Sequence, residues 1–186
     1  MRIVAGTWRG RALAAPPGTT TRPTSDRVRQ AIFDMLVHAP WSTPLDSMKV
    51  LDAFAGTGAM ALEALSRGAA SATYFEKDPA ALKSLRANIA ACKAEPRTRV
   101  IAADATRPPK GEPHDLAFLD PPYDTATAAD CVRAPGLLAI IPPRRRLYVQ
   151  HRRGAALPAA PGWRLADERR FGDTMLTTFE REEAGG

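Results

Sequence analysis

Paired cysteines are missing from this chain. It carries only Cys92 and Cys131, with no paired spacing and no histidine beside them in sequence, which argues against a disulfide framework or a zinc site and suits a reducing compartment. His38, His114 and His151 are scattered without ligand spacing, so no metal is expected. No apolar run approaches the ~20 residues that a membrane helix requires. The stretch Met1 to Arg9 lacks the apolar core of a signal peptide. Internal repeats and heptads are absent too. These gaps lead to the expectation of a cytoplasmic monomer with no membrane segment.

What is present is globular and basic. The 186 residues are 45% hydrophobic and 25% charged, enough for one domain with a substantial core. Lys and Arg number 26 against 20 Asp and Glu, a net charge of +6, which favours a polyanionic partner. Arginine dominates, and its planar fork matches phosphate geometry.

The segment from Arg2 to about Arg22 alternates short apolar stretches around Thr7-Trp8-Arg9-Gly10 and predicts a small β-hairpin and loop. Pro23-Thr24-Ser25-Asp26 is a helix-start signal, and Val28, Ile32, Met35 and Leu36 give the following helix an apolar stripe, ended by Pro40 and Pro44. Residues 1–46 form this amino-terminal extension, and 47–186 the main domain. There, strands at Val50–Phe54, Ala72–Glu76, Arg99–Ala102, Leu116–Leu119 and around Leu147-Tyr148-Val149 alternate with helices at Met60–Arg67, Pro79–Cys92 and Ala126–Val132. That alternation predicts a parallel sheet covered on both faces. Trp163–Leu165 and Met175–Phe179 flank Gly172-Asp173 as an antiparallel hairpin. Thr106–Pro113, Pro142–Arg146 and Arg152–Gly162 read as loops.

Two motifs carry chemistry. Asp52-Ala53-Phe54-Ala55-Gly56-Thr57-Gly58 lies between the first strand and its helix, where glycines let backbone approach a nucleotide, and Glu76 ends the next strand where a carboxylate can take a ribose diol. NAD and S-adenosylmethionine both offer that ribose, so these features do not separate them. The second motif is Asp120-Pro121-Pro122-Tyr123, closing the apolar run Leu116-Ala117-Phe118-Leu119. Proline fixes φ and holds the carbonyls around Asp120 rigid. A carboxylate, a fixed carbonyl and an aromatic ring suit the grip on a planar amine, although the tetrapeptide alone serves equally as a strand ending in a proline turn. A dehydrogenase has no use for such a clamp; a base methyltransferase does.

The chain resembles a known family. Arg22-Pro23-Thr24-Ser25-Asp26-Arg27-Val28-Arg29, Asp52-x-Phe54-x-Gly56-x-Gly58, Leu62-Glu63-Ala64-Leu65-Ser66-Arg67-Gly68-Ala69 and Asp120-Pro121-Pro122-Tyr123 together look like the bacterial enzymes that methylate the N2 amine of one guanine (the guanine-966 type) in 16S ribosomal RNA. The likeness runs from Arg2 through Phe179; Gln150-His151 and the proline- and alanine-rich stretch 155–161 depart from it.

The resemblance implies a Rossmann-like class I α/β fold, a mostly parallel doubly wound sheet that uses S-adenosylmethionine and releases S-adenosylhomocysteine. It implies that Asp52, Gly56 and Gly58 hold the amino-acid end of the cofactor, Glu76 the ribose and Asp104 the adenine amine, with Phe54 also in the cofactor site. Asp120 and the Pro121 carbonyl would orient the guanine amine, with Pro122 completing the turn and Tyr123 stacking on an extruded base. Arg9, Arg11, Arg22, Arg27 and Arg29 are the expected RNA contacts, within the assembling small ribosomal subunit. Trp8 reads more readily as an anchor of the hairpin than as a base stack. Two alternatives stay open: a DNA adenine or cytosine amino-methyltransferase, for which the chain has no obvious target-recognition domain, and a non-catalytic RNA-binding assembly factor.

Overall fold

A computed structural model describes residues 1–16, 26–38, 44–121, 125–154, 157 and 160–183. After an amino-terminal arm come α1 (Asp26–His38), β1 (Lys49–Ala53), α2 (Ala59–Ser66), β2 (Ser71–Glu76), α3 (Pro79–Ala91), β3 (Thr98–Ala102), β4 (Leu116–Leu119), α4 (Thr125–Arg133), α5 (Pro135–Ile140), β5 (Arg146–Arg152), β6 (Trp163–Phe171) and β7 (Thr174–Arg181). The strands form a single seven-stranded sheet in the order β3-β2-β1-β4-β5-β7-β6, parallel except where β7 pairs with β5 and β6.

The alternation of the central strands sorts two cores. Val50, Tyr74, Phe118 and Tyr148 face a layer made by α1, α2 and α3, where Phe33 of α1 stacks on Phe118 at 5.7 Å between ring centroids and Phe118 on Tyr148 at 5.9 Å. Leu51, Phe75, Leu119 and Val149 face the opposite layer, where Cys131 and Val132 of α4, Leu137 and Ile140 of α5 and Trp163 pack. Both faces are therefore buried, as apolar strands of this kind require. Among the described residues no helix is long and apolar enough to cross a membrane.

The expected amino-terminal hairpin is present as a minimal one. Arg2 and Ala12 form an isolated antiparallel bridge, and the Gly10 amide donates to the Ile3 carbonyl at 2.8 Å. What fixes this arm is α2. Glu63, fully buried, accepts the amides of Val4 (2.7 Å) and Ala5 (2.9 Å), while Ser66 accepts the Trp8 amide at 3.0 Å and donates to the Ala5 carbonyl at 2.6 Å. Gly6 lies against Ser66 with φ 79°, and a Cβ there would stand 1.8 Å from the Ser66 carbonyl oxygen. Trp8 packs beneath the Arg97 guanidinium, 5.3 Å from the ring centroid, so it acts as an anchor.

The elements depart from the sequence expectations in three places. The helix α5 falls where the sequence pattern assigns no element. Pro135 occupies the first helical turn, where its missing N–H costs nothing, and Gly136 lets the helix sit against Pro108, whose carbonyl oxygen would be 2.8 Å from an added Cβ. Arg146 and Arg152, placed in loops from sequence, are the first and last residues of β5. β6 runs to Phe171, well past Leu165, because an edge strand with little cover can carry the polar run Asp167-Glu168-Arg169-Arg170. Pro40 and the start signal at 23–25 lie outside the described residues.

Candidate active site

β1 leaves the sheet through Phe54, whose φ of 68° puts an L residue in the left-handed region. Such backbone costs of order 1–3 kcal/mol and collects at ligand clamps. Gly56 (φ 54°) and Gly58 (φ 78°) continue the turn into α2. The positive φ of Gly58 favours glycine, and a Cβ there would lie 2.4 Å from Leu85 Cδ1, so that side chain would have to shift as well, whereas the space around Gly56 is open.

Glu76, at the end of β2, ties this turn down: its Oε2 accepts the Gly56 amide and its Oε1 the amides of Lys77 and Asp78, each at 2.8 Å. Asp52 is 2% exposed, and its Oδ2 accepts the Ala61 amide at 3.1 Å in the first turn of α2. Burial pushes the Asp52 carboxyl well above the usual carboxylate range, the Ala61 amide opposes that, and the charges of Asp120 and Glu76 raise it further. Asp120 is the first residue past β4 and is half-buried, with Pro121 buried behind it. Because Ala53 pairs with Leu119, Asp120 emerges level with Phe54, at the point where the strand order reverses between β1 and β4. Ligands bind at such crevices in open α/β sheets. Three acids from three parallel strands, Asp52, Glu76 and Asp120, thus share one field.

Asp104, two residues beyond β3, is engaged by Lys77 Nζ at 2.8 Å and by the amide (3.0 Å) and hydroxyl (2.8 Å) of Thr106. The Lys77 hydrogen bond, with the two from Thr106, holds the Asp104 carboxyl down at about 2. A partner for this carboxylate has to share it with Lys77. Pro122, Tyr123 and Arg22 lie outside the described residues.

The arginines expected to touch RNA are not brought together. Arg9 and Arg11 are exposed, but they flank Trp8 beside Ser66 and Arg97, at the edge of the sheet opposite Asp120, and Arg11 donates to the Ala91 carbonyl. Arg27 is exposed on α1. Arg29 corrects the expectation: it is 0% exposed, donating to the Arg2 carbonyl and to Asp26 (2.8 Å), with its Nε 3.6 Å from Glu63. A guanidinium sealed in that network is structural. The residues that sequence reading missed are its partner Glu63, together with Ser66 and Asn88. Asn88, 2% exposed, bridges the arm to the glycine turn by accepting the Ala14 amide at 2.8 Å and donating to the carbonyls of Ala14 and Thr57, each at 2.9 Å. Glu63 left a signal, an acid inside the apolar run Met60–Leu65.

The strand order, the glycine turn after β1 and the acid ending β2 make a Rossmann-like fold, the class I methyltransferase architecture shared with a solved relative of 36% identity. Residues 1–180 match the family described as conserved hypothetical protein 95, and the chain belongs to that family. Ribosomal RNA small subunit methyltransferase D of Escherichia coli K12 is 35% identical over 189 residues, spanning 100% of this chain and 92% of the relative. The protein of the same name from Haemophilus influenzae is 32% identical over 185 residues, spanning 97% and 93%. The solved structure of Escherichia coli yhhF superposes with a TM-score of 0.81 at 36% identity, covering 98% of each chain.

Proposed function

We propose that this protein transfers the methyl group of S-adenosylmethionine to the exocyclic N2 amine of one guanine in 16S ribosomal RNA, acting as a cytoplasmic monomer. The observation that carries the reading is the position of Asp120. It is half-exposed, braced by Pro121, and within the electrostatic reach of Asp52 beside the glycine turn. The full-length likeness to small-subunit ribosomal RNA methyltransferases supports the substrate class.

The residues present suit the cofactor. Glu76 supplies negative potential beside the glycine turn for a ligand that is cationic at its sulfur and amino group, and the space over Gly56 admits a close approach. Asp52, Gly56 and Gly58 would hold its amino-acid end, Glu76 the ribose and Asp104 the adenine amine, with Phe54 also in the cofactor site. Bound there, S-adenosylmethionine supplies an electrophilic methyl group. Asp120 Oδ and the Pro121 carbonyl accept the two hydrogens of the guanine amine, turning the nitrogen lone pair out of conjugation with the ring. Tyr123 stacks on the base. The proton lost from N2 passes to Asp120 and on to water. Orientation is the larger contribution, since holding two reactants in line can remove ~7–11 kcal/mol of a bimolecular barrier.

Mass spectrometry of 16S ribosomal RNA from cells with and without the protein tests this. The expected result is loss of one N2-methylguanosine, restored by the wild-type chain. An unchanged modification profile, or methyl incorporation into duplex DNA instead, would overturn it.

A further inference from the structure

The donor side of the crevice is built by β1, β2 and β3, which carry the glycine turn, Glu76 and Asp104. A base that meets a methyl group at Asp120 has to arrive from the other side, over β5, β7 and β6. That side carries a concentration of positive charge. Arg152 ends β5, Arg153 follows it, and Arg169 and Arg170 lie near the end of β6; all four are exposed. The pairing register sets Arg152 and Phe171 both opposite Thr174, so the four arginines surround one hairpin tip. Leu119 pairs with Val149, which puts Asp120 level with Gln150. With strands ~4.8 Å apart and ~3.3 Å of rise per residue, the Arg152 backbone stands roughly 8 Å from that of Asp120.

Arg152 and Arg153, at one end of β5, differ from the basic run at the other. Arg144, Arg145 and Arg146, at the opposite edge, are ion-paired with Glu183 (2.8 Å), Asp115 (3.0 Å) and Glu180 (3.1 Å). At the tip, Arg169 meets Asp167 at 2.7 Å and Arg170 Nε donates to the Gly172 carbonyl at 2.9 Å, whereas neither Arg152 nor Arg153 has an ion-pair partner among the described residues. Three acids share the tip with these four arginines: Asp167, Glu168, which accepts the Thr177 hydroxyl at 3.0 Å, and Asp173, which lies in the turn with its carbonyl accepting the Arg153 amide at 2.9 Å.

We propose that Arg152, Arg153, Arg169 and Arg170 form the landing surface for the phosphodiester backbone of the RNA strand that flanks the target base. The inference rests on the RNA methyltransferase reading and moves the main footprint from the amino-terminal arm to the β6–β7 hairpin. Four guanidinium groups on the substrate side of Asp120 bind phosphates without reading sequence and hold the target strand over the clamp.

The test uses undermethylated 16S ribosomal RNA and two double variants, Arg152→Ala with Arg153→Ala and Arg169→Ala with Arg170→Ala. Each is expected to raise KM for RNA about tenfold or more, with kcat and S-adenosylhomocysteine affinity by calorimetry unchanged. Each should also flatten the slope of log affinity against log salt by ~1.4, two phosphate contacts at ~0.7 apiece for a single strand. Lysine at the same positions should restore most of the slope, and Arg144→Ala with Arg145→Ala should leave it as in the wild type. An unchanged KM and slope in both tip variants would overturn the proposal. A wild-type protein that binds the RNA with tip-dependent salt sensitivity but transfers no methyl would sink the functional reading and leave the surface standing.

Discussion

The Nε of Arg29 lies 3.6 Å from the Oε2 of Glu63, and both side chains are fully buried. Glu63 also holds Arg67 Nε at 2.8 Å and two amides of the amino-terminal arm, so one carboxylate joins α1, α2 and the arm. Breaking a buried pair from one side leaves a charge without compensation, which costs ~3–5 kcal/mol. Arg29→Ala is therefore expected to lose that much in urea denaturation, while RNA affinity per folded molecule stays at the wild-type level. A stable variant with weakened RNA binding would return Arg29 to the substrate surface.

Gly6 and Gly10 give a controlled pair. Both have left-handed φ, 79° and 83°, but a Cβ on Gly10 meets nothing within 4 Å. Gly10→Ala should lose only the backbone cost of ~1–2 kcal/mol. Gly6→Ala drives a methyl group into the Ser66 carbonyl and is expected to undock the arm, losing amide-exchange protection at Thr7 and Trp8. Equal effects from the two substitutions would contradict the docking.

Asp52 holds a stability cost. Its carboxyl is raised by burial, so the fold favours the neutral form. That preference helps fully below the unfolded value of 3.8 and is lost as pH climbs through the higher folded value. Asp52→Asn keeps an oxygen for the Ala61 amide without the charge. It should melt ~2–4 °C higher than wild type at neutral pH, about 1 kcal/mol for a chain of this size, with the gain shrinking toward pH 4. Cofactor affinity should fall at the same time.

Asp120→Asn should cut kcat by about 10²-fold or more, the scale of a positioned proton acceptor, with cofactor affinity preserved. Single-turnover methyl transfer alongside calorimetry separates the two effects. Near-normal turnover would remove Asp120 from the chemistry.

Much of this architecture was written in local patterns. Leu116–Leu119, Val50–Ala53 and Ala72–Glu76 are short, mostly apolar runs that alternate with helical patterns, the signature of buried parallel strands, and Asp120 and Glu76 stand where the first and the third of these runs stop. Arg29 was illegible because an arginine run on a helix looks solvated, and its partner lies 34 residues later. Sequence periodicity says which face a residue occupies but cannot say that an arm from elsewhere will cover it. The left-handed Phe54 was equally hidden, since the turn it belongs to is tied by the amide of Ala55 to the Phe75 carbonyl at 3.0 Å, a contact across strands.

The arm's attachment to α2 has a consequence during synthesis. Val4 leaves the translating ribosome 59 residues ahead of Glu63, the acceptor of its amide. At ~5–20 residues per second the nascent arm waits several seconds without its seat. Early emergence here means late settling, and a chaperone that grips the first residues would find them still unclaimed.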